Sequence, residues 1–441
     1  LNMTSQRWMA HDEDFASRQT WWHIMGIAVP DEIEWPEHAA LFIGSGNNNE
    51  DGPPARGSYW NVVAASIAND TQMICAYILQ VPNQPIRFRD DPKQSSRSED
   101  NYIAYTWRWA YDTYTGGAGE EDTPFEVLAR FPMTKSAKRG LDTIAAFAAE
   151  NVPQADDIDK FFVMGASKRG WTTWSLAAVD QRVIAIAPLV FSLLKMEETI
   201  MQHYQTMGGA WSFAFGPYFN EDLTYHLTED IVNEILYKYE DPYRYRTRLS
   251  NIPKVLIVAT GDEFFFCSDS HQWWDDMQNM GYMAMMMNPN AEHVLFPHWL
   301  RIYRTIAGFA LTVLNGDDMP NVRTERINDA EGGVARLVVD GEQPLSVRAL
   351  SSTTIDEGAR RDWRLVAGHP DRELHPVVWN ETDFTANDGT YECRVDNDPE
   401  GIEWTGCFVE GMWEYEGFPM YLTSEVVMTP DTYPVEPCEG D

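Results

Sequence analysis

Residues 161–171 read FFVMGASKRGW, and this stretch decides the fold. Its first four residues form an apolar run, too short for a helix, that stops at Gly165. From Trp171 onward the composition suits a helix, so the stretch predicts a strand, a tight turn with Ser167 at its corner, and a helix. Such a corner pushes the serine hydroxyl out of the sheet, beside the positive end of the helix, where developing negative charge is stabilised. Ser167 is therefore a candidate nucleophile.

The corner departs from the common nucleophile turn, G-x-S-x-G, at one position. That turn has glycine two residues after the serine, where this chain has Arg169 and reaches glycine only at Gly170. Gly165 fits the pattern, because it removes a Cβ where the two arms of the turn approach each other. The same sequence also suits an ordinary turn between a strand and a helix, so the motif needs support from other residues.

An acid and a histidine follow the serine at the ends of two later strands. The apolar run at 254–260 ends beside Asp262, and the run at 282–287 leads into a Pro-Asn loop that contains His293. Serine, acid, histidine is the chain order of α/β hydrolases, in which the histidine takes the serine proton and the acid orients the histidine. We therefore predict Ser167 as nucleophile, His293 as base and Asp262 as acid.

Both partners of the serine have competitors. Glu263 is the alternative acid, and we prefer Asp262 because a shorter side chain directly after Gly261 suits a loop at a strand end. Asp262 could instead cap the following turn. His298 is the alternative base, but it is expected to begin a helix, whereas the loop around His293 leaves its ring able to reach across the sheet edge.

An oxyanion hole requires two backbone N–H groups. One is expected from Lys168, the residue after the serine. The other is expected from Ser45 or Gly46 in the loop after the predicted strand at 39–43, where glycine lets the backbone approach a bound carbonyl oxygen. An ordinary Gly-Asn turn is the alternative interpretation of this loop.

Strands and helices alternate through the first part of the chain. We expect a helix at 135–150 and strands at 22–28, 39–43, 73–79, 161–164 and 183–187. The pattern predicts an α/β-hydrolase fold, with a mostly parallel sheet and helices on both faces. With 441 residues the chain exceeds the size at which a single core keeps growing, so about two domains are expected.

The order of these elements divides the chain into four segments. They are the first part of the hydrolase core at 1–195, a helical, aromatic-rich lid insert at 196–250, the second part of the core at 251–318, and a C-terminal β-rich, sandwich-like domain at 319–441. The aromatic residues of the insert could line a substrate pocket, although packing is their commoner role. His203 and His271 are expected to be surface or insert residues.

Several motifs along the chain, including the serine turn, resemble those of the PhoPQ-activated pathogenicity-related family. They are WWH at 21–23, QVPNQP at 80–85, ED at 99–100 with IAYTW at 103–107, FPM at 131–133, SKRGWTTW at 167–174, VDQRV at 179–183, EDPY at 240–243 and GDEFF at 261–265. The resemblance is strong over about residues 4–316 and weaker beyond, through RDWR at 361–364. It also explains Arg169, because the family has Ser-Lys-Arg-Gly at this corner.

The resemblance implies an α/β-hydrolase-like fold with the triad on Ser167, Asp262 and His293. Family members have loosely defined substrates, and they include a secreted autocrine proliferation repressor of social amoebae. We therefore expect a serine hydrolase that cleaves an ester or amide bond, peptide bonds included, in a small-molecule or peptide substrate, with no cofactor and no metal. The alternative is a secreted signalling, binding or structural protein on a hydrolase scaffold with little or no turnover, whose C-terminal β-domain would contact a protein partner.

Composition limits the partners and the location of the protein. A net charge of −35, from 68 acidic and 33 basic residues, argues against nucleic acid as a partner. No run approaches the roughly 18 apolar residues that a membrane span requires. We expect a secreted or extracellular protein, with glycosylation sequons at Asn2, Asn69 and Asn380. No signal peptide is visible at residue 1, and because the resemblance begins near residue 4, we expect the natural N-terminus to be processed or to lie upstream.

The five cysteines show no metal-binding spacing. Cys393 and Cys407 are predicted to pair across neighbouring strands of the last domain. Cys75 lies in an apolar run and is expected in the core. Cys267 and Cys438 are the remaining two cysteines, and since the count is odd, one thiol must be free or bond elsewhere.

Overall fold

The computed structural model describes residues 1–49, 52–368 and 371–437, so Cys438 lies outside the described residues. The chain divides into two compact units. Unit 1 comprises Leu1–Pro188 and Pro217–Ile252, and unit 2 comprises Leu189–Gly216 and Pro253–Asp441. This division differs from the four expected segments, because the insert at 196–250 is shared between the units and the segments 251–318 and 319–441 belong to one unit.

The helices range from single turns to a helix of 22 residues. They are α1 Tyr59–Thr71, α2 Glu99–Thr113, α3 Gly119–Asp122, α4 Arg130–Asn151, α5 Lys168–Val179, α6 Met196–Thr206, α7 Gly216–Phe219, α8 Asp230–Val232, α9 Lys238–Glu240, α10 Arg246–Leu249, α11 Trp274–Gln278 and α12 Trp299–Asn315. Short 3-10 and π turns join several of them, and the described elements within 196–250 are helices and such turns. Among the described residues, we find no helix with the length and apolar character needed to cross a membrane.

The sheet of unit 1 has the strand order β1-β2-β4-β3-β5-β6. Its strands are β1 Asn2–Arg7, β2 Thr20–Ala28, β3 His38–Ile43, β4 Ile74–Ile78, β5 Lys160–Ala166 and β6 Val183–Leu189, which ends at the unit boundary. The pairs β3–β4 and β3–β5 are parallel, and β1–β2 and β2–β4 are antiparallel. The sheet is therefore mixed, with a parallel centre.

Helices cover both faces of this sheet. Successive residues of a strand point to opposite faces. On β3, Leu41 packs against Gly140 of α4, where a Cβ would lie 3.4 Å from the leucine side chain. Its neighbour Phe42 packs against Trp60 of α1, with ring centroids 5.4 Å apart. With the strand, turn and helix around Ser167, this arrangement confirms the predicted α/β-hydrolase fold.

Unit 2 contains a sheet of strand order β7-β8-β18-β17-β11-β14, with β19 paired to β17, and a four-stranded sheet of order β15-β16-β10-β9. Its strands are β7 Lys254–Ala259, β8 Met283–Asn288, β9 Asn321–Asn328, β10 Gly332–Asp340, β11 Ser346–Thr353, β12 Val366–Ala367, β13 Glu373–Leu374, β14 Asn380–Thr382, β15 Thr385–Asn387, β16 Thr390–Asp396, β17 Thr405–Tyr415, β18 Phe418–Thr423 and β19 Val427–Thr429. β7 and β8 are parallel, and β18 continues their sheet by antiparallel pairing with β8. The C-terminal strands thus cover the edge of β8, which explains why segments 251–318 and 319–441 form one unit.

The two sheets at the C-terminal end pack face to face and carry the disulfide. Cys393 on β16 and Cys407 on β17 are bonded, with Cα atoms 6.3 Å apart. This pairing was predicted, but the two strands belong to different sheets, so the bond joins the two layers rather than two strands of one sheet. Cys75 and Cys267 are free and buried.

Candidate active site

Ser167 lies in unit 1 at the corner between β5 and α5. Its backbone has φ +59° and ψ −130°, a conformation that non-glycine residues rarely adopt and that is associated with functional sites. A Cβ at Gly165 would lie 2.6 Å from the Arg169 carbonyl oxygen. Helix α5 can therefore approach β5 this closely only because residue 165 is a glycine. The strained serine favours a nucleophile turn over the ordinary strand-to-helix turn left open by the sequence.

The two basic residues after Ser167 are both engaged with the start of α2. Arg169 pairs with Glu99 at 2.8 Å and donates from Nε to the Val81 carbonyl at 2.6 Å. Lys168 Nζ lies 2.8 Å from Glu99 Oε2 and 3.3 Å from Asp100 Oδ1. Arg169 therefore occupies the position of the usual glycine by directing its long, buried side chain into an ion pair with the partly exposed Glu99.

Glu99 acts as the common counter-ion of the turn. Burial acts to raise the pKa of Glu99, but the charges of Arg169 and Lys168 outweigh it and hold the pKa well below its usual range. Gln84 fixes this carboxylate with a 2.6 Å hydrogen bond from Nε2 to Oε1, and it accepts the backbone N–H of Glu99 at 2.7 Å. The same Nε2 donates to the Gly46 carbonyl at 2.9 Å. Gln84 thus ties the turn after Ser167 to the predicted oxyanion loop.

The oxyanion loop is held by its carbonyl groups. The Gly44 and Ser45 carbonyls accept the backbone N–H groups of Val81 and Gln80, both at 3.3 Å. In a trans peptide the next N–H points opposite to the carbonyl. The N–H groups of Ser45 and Gly46 therefore point away from residues 80–81.

Lys168 supplies the other predicted donor. It is the first residue of α5, so its backbone N–H precedes any intrahelical acceptor and lies at the positive end of the helix. Its carbonyl accepts the Thr172 hydroxyl at 3.0 Å and an Arg130 N–H at 3.3 Å. Two side chains therefore hold this first peptide of the helix in place.

Asp262 and His293 meet in unit 2, beyond the ends of β7 and β8. His293 Nδ1 lies 2.9 Å from Asp262 Oδ2 and 3.0 Å from Oδ1. Asp262 Oδ1 also accepts the backbone N–H groups of Phe264 and Phe265, at 2.8 and 3.1 Å. The Phe264 ring lies 4.5 Å from the imidazole, centroid to centroid. The carboxylate is thus fixed by backbone donors and in turn fixes the orientation of the imidazole.

Glu263, the alternative acid, and His298, the alternative base, make different contacts. Glu263 Oε2 accepts the backbone N–H of His293 at 3.1 Å. Burial and the charge of Asp262 raise the pKa of Glu263. His298 Nε2 bonds to the Pro289 carbonyl at 2.7 Å at the start of α12. Among these carboxylates, Asp262 contacts the imidazole ring, so the geometry favours Asp262 over Glu263 as its partner.

A second imidazole–carboxylate pair lies deeper in unit 2. His203 Nε2 is 2.7 Å from Asp269 Oδ1, and Ser192 Oγ is 3.0 Å from Asp269 Oδ2. The His203 ring stacks on Phe266 at 4.1 Å and is buried, so of the two expected locations, surface or insert, His203 occupies the insert. Helical spacing could have found it, because Met196, Thr199, Ile200 and His203 follow the i, i+3, i+4, i+7 pattern of a buried helix face.

Three side chains of unit 2 have the types and spacing of metal ligands. Asp356, Asp362 and His375 each bring one ligand atom within 4.8 Å of the others. Arg364 Nε, however, lies 2.8 Å from Asp362 Oδ1, so this carboxylate already has a guanidinium partner. His375 Nε2 lies 3.1 Å from Asp356 Oδ2. We interpret the group as a hydrogen-bonded cluster and assign no metal to it.

The family of the chain follows from two comparisons. A sequence model of the PhoPQ-activated pathogenicity-related proteins matches residues 1–364. Autocrine proliferation repressor protein A of Dictyostelium discoideum is 30% identical over 450 residues, which cover 99% of this chain and 86% of that protein. The chain belongs to the PhoPQ-activated pathogenicity-related family. The resemblance in the sequence motifs is thereby confirmed.

Solved structures with similarity to this family member include hydrolases. The acylaminoacyl peptidase of Pyrococcus horikoshii has a TM-score of 0.43 and 14% identity, over 68% of this chain and 41% of the peptidase. The chain thus spans about two fifths of the length of that peptidase. Acetyl xylan esterase 1 of Thermoanaerobacterium has a TM-score of 0.40 and 12% identity, over 71% of this chain and 87% of the esterase.

The structure gives the PhoPQ-related motifs physical roles that the sequence did not reveal. In QVPNQP, Val81 binds Arg169 through its carbonyl, and Gln84 bridges Gly46 and Glu99. Glu99 and Asp100 were recognised as motif residues but not as partners of the bases after Ser167. The sequence did contain a signal for this contact. One family motif has two adjacent acids and another has two adjacent bases, which could pair.

Proposed function

We propose that this PhoPQ-activated pathogenicity-related protein is a serine hydrolase that cleaves ester or amide bonds, including peptide bonds. Ser167 is the nucleophile, His293 the general base and Asp262 the acid that orients it. The backbone N–H groups of Lys168 and of Ser45 or Gly46 stabilise the oxyanion.

The observation that carries this proposal is the hydrogen bond between His293 Nδ1 and Asp262, at 2.9 Å. A carboxylate on Nδ1 selects the tautomer whose Nε2 accepts a proton, and it stabilises the imidazolium that forms. The strained backbone of Ser167 at the start of α5 supports the proposal independently.

The reaction then has two halves. Ser167 Oγ attacks the substrate carbonyl carbon while its proton moves to His293 Nε2, and the carbonyl oxygen becomes an oxyanion. Protonation by His293 releases the alcohol or amine and leaves an acyl-enzyme. Water, deprotonated by His293, then attacks the acyl group and forms a second tetrahedral intermediate. When this intermediate collapses, His293 returns the proton to Ser167 Oγ and the acid is released.

Hydrolysis of p-nitrophenyl esters and of blocked peptide p-nitroanilides tests this proposal. We expect the wild-type protein to hydrolyse at least one of the two substrate sets. Ser167→Ala should lower the rate by about three orders of magnitude or more. Ser250→Ala is the control, because the Ser250 hydroxyl donates to the Thr247 carbonyl away from the corner, and it should keep the wild-type rate. Folded wild-type protein without turnover of either set would rule the proposal out.

A secreted signalling role is the second candidate, and the name of the Dictyostelium discoideum relative favours it. We propose an extracellular location because the Cys393–Cys407 disulfide suits an oxidising compartment and Asn2, Asn69 and Asn380 are exposed as possible glycosylation sites. The C-terminal β-strands of unit 2 would then offer a surface for a protein partner.

Adding purified protein to growing cells separates the two roles. If Ser167→Ala changes proliferation as strongly as the wild type, the effect does not need turnover and the signalling role stands by itself. Loss of the effect in a well-folded Ser167→Ala variant would instead make signalling depend on hydrolysis.

A further inference from the structure

Unit 1 contains a cavity of about 250 Å³ that the proposed hydrolysis does not use. It lies between α4, α5 and the stretch from α9 to Tyr245. Its walls are mainly apolar and aromatic, and they include Phe131, Ala178, Val179, Tyr239 and Tyr245. Phe131 and Val179 are 39% and 55% exposed, so the cavity opens to solvent along an apolar rim.

Arg130 lines this cavity and is 4% exposed. Its guanidinium carbon lies 3.7 Å above the Trp171 ring, and NH1 reaches the Lys168 carbonyl at 3.3 Å. In the part of the chain that the structure describes, Nε has no hydrogen-bond partner. A buried charged donor without an acceptor is costly, so an acceptor supplied by a ligand would stabilise this arrangement.

Glu240 is the second buried polar group of the cavity, 3% exposed. Its Oε2 accepts the indole N–H of Trp107 at 2.6 Å, while Oε1 has no partner at hydrogen-bond geometry among the described residues. Burial raises the pKa of Glu240 to about 7, although the charge of Arg130 and hydrogen bonds from Trp107 and the Arg130 backbone oppose it. Near neutral pH this carboxyl group is therefore partly protonated and carries less than a full negative charge.

The charge of the lining is opposite to that of the whole chain. The protein has 68 acidic and 33 basic residues, yet the cavity is lined by three bases, Arg130, Lys135 and Lys138, and by one acid, Glu240. Lys138 also contacts Asp142, at 3.2 Å, while Lys135 is exposed at the rim. Within a strongly acidic protein, a cavity lined in this way selects for a negatively charged ligand.

We propose that this cavity binds a small amphipathic carboxylate, with its carboxylate beside the Arg130 side chain and its apolar tail against Phe131, Val179 and the two tyrosines. Such sites combine mostly apolar walls with a few convergent polar groups, as this cavity does. The carboxylate replaces the missing acceptor of Arg130. Lys135 at the rim adds attraction for the approaching anion.

Isothermal titration calorimetry with three eight-carbon probes tests the ligand class. Octanoate, octanamide and octylamine share the apolar tail and differ in the charge of the head. We expect octanoate to bind, octanamide to bind at least tenfold more weakly, and octylamine to give no measurable heat. The proposal is overturned if octanoate gives no heat at millimolar concentration, or if octanamide binds as tightly as octanoate.

Variants place the binding in this cavity. Val179→Trp fills the exposed rim and Arg130→Gln removes the charged donor, and each should weaken octanoate binding at least tenfold. Arg139→Gln is the matched control, because Arg139 is exposed on α4 and does not line the cavity, and it should bind as the wild type does. Near-UV circular dichroism checks the fold of Arg130→Gln. If Arg130→Gln misfolds, Val179→Trp still tests the site. Wild-type affinity in folded Val179→Trp overturns the proposal.

Discussion

Of the imidazole–carboxylate pairs in unit 2, two with short hydrogen bonds differ in their surroundings. His293 and Asp262 are 2.9 Å apart, and His203 and Asp269 are 2.7 Å apart. The His293 side chain is 14% exposed in a loop, whereas His203 is 1% exposed under the Phe266 ring. The second pair even has a serine, Ser192, but its hydroxyl bonds to the carboxylate.

The difference shows that a serine, a histidine and an aspartate in contact are not enough for nucleophilic catalysis. A base must accept the proton of the nucleophile, so the histidine has to stand between the serine and the acid. Around Asp269 the acid stands in the middle, and the group is closed to a substrate. We therefore propose a structural role for His203 and Asp269 and keep His293 and Asp262 as the proposed catalytic pair.

The largest expected effect comes from the pair His293 and Asp262. His293→Ala and Asp262→Asn should each lower the rate of ester hydrolysis by about 10³-fold, because the general base is lost or is no longer oriented. The thermal unfolding midpoint should change little, since the imidazole lies in a partly exposed loop. His298→Gln is the control and should keep the rate. Retained activity in His293→Ala, or its loss in His298→Gln, would assign the base to another residue.

The buried pair should respond in stability instead of rate. His203→Ala leaves the buried Asp269 with Ser192 as its remaining side-chain partner and opens a cavity, so we expect a loss of about 3 kcal/mol in the free energy of unfolding. Ser192→Ala removes one hydrogen bond and should cost about 1 kcal/mol. Urea unfolding measures both, and hydrolysis by the folded protein should persist. A stable but inactive His203→Ala variant would contradict the structural role.

The smallest expected effect is on stability, and it distinguishes Glu263 from its neighbour Asp262. Because the pKa of Glu263 is raised by burial and by Asp262, the folded protein keeps a proton that the unfolded chain releases. The wild type therefore loses stability as the pH rises from the ordinary glutamate pKa of 4.5 through the folded value. Glu263→Gln lacks this loss and should gain stability relative to the wild type over the same range, while hydrolysis is retained. Urea unfolding at pH 4 and pH 7 measures this difference in stability. A Glu263→Gln variant that loses stability or activity at pH 7 would indicate that Glu263, and not Asp262, is the acid.

Local sequence was sufficient to predict the corner at Ser167 and the positions of Asp262 and His293. Strands β5 and β7 each begin with a lysine and continue as a short apolar run, which a glycine or a polar turn interrupts. In a parallel sheet, functional residues gather just beyond such strand ends. The order of serine, acid and histidine along the chain could therefore be interpreted before any contact was known.

Other elements depend on tertiary packing that local patterns do not encode. Strand β17 at Thr405–Tyr415 was not predicted, because Gly406 and Gly411 interrupt its apolar alternation, although it pairs with three strands. Helix α2 was also missed, since its aromatic-rich sequence has low helix preference and is stabilised by burial of seven of its residues. The sequence at 421–428 favours a single strand, whereas the structure divides it into β18 and β19 at residues 424–426.

The sequence likewise did not predict which acid pairs with the basic residues of the serine turn. Glu99 reaches Lys168 and Arg169 across about 70 residues of chain, and the pairing becomes visible only when β3, β5 and α2 are assembled. The serine could thus be predicted from its neighbours in sequence. The residues that hold it in place could not.

Labelling with a fluorophosphonate probe, followed by mass spectrometry of the modified peptide, tests the central claim most directly. A nucleophilic serine reacts covalently with the probe, and the mapping distinguishes Ser167 from Ser192. We predict a single modified site at Ser167, which disappears in Ser167→Ala and His293→Ala and persists in Ser192→Ala. A well-folded wild-type protein that takes up no probe, or that takes it up at another serine, would contradict the account.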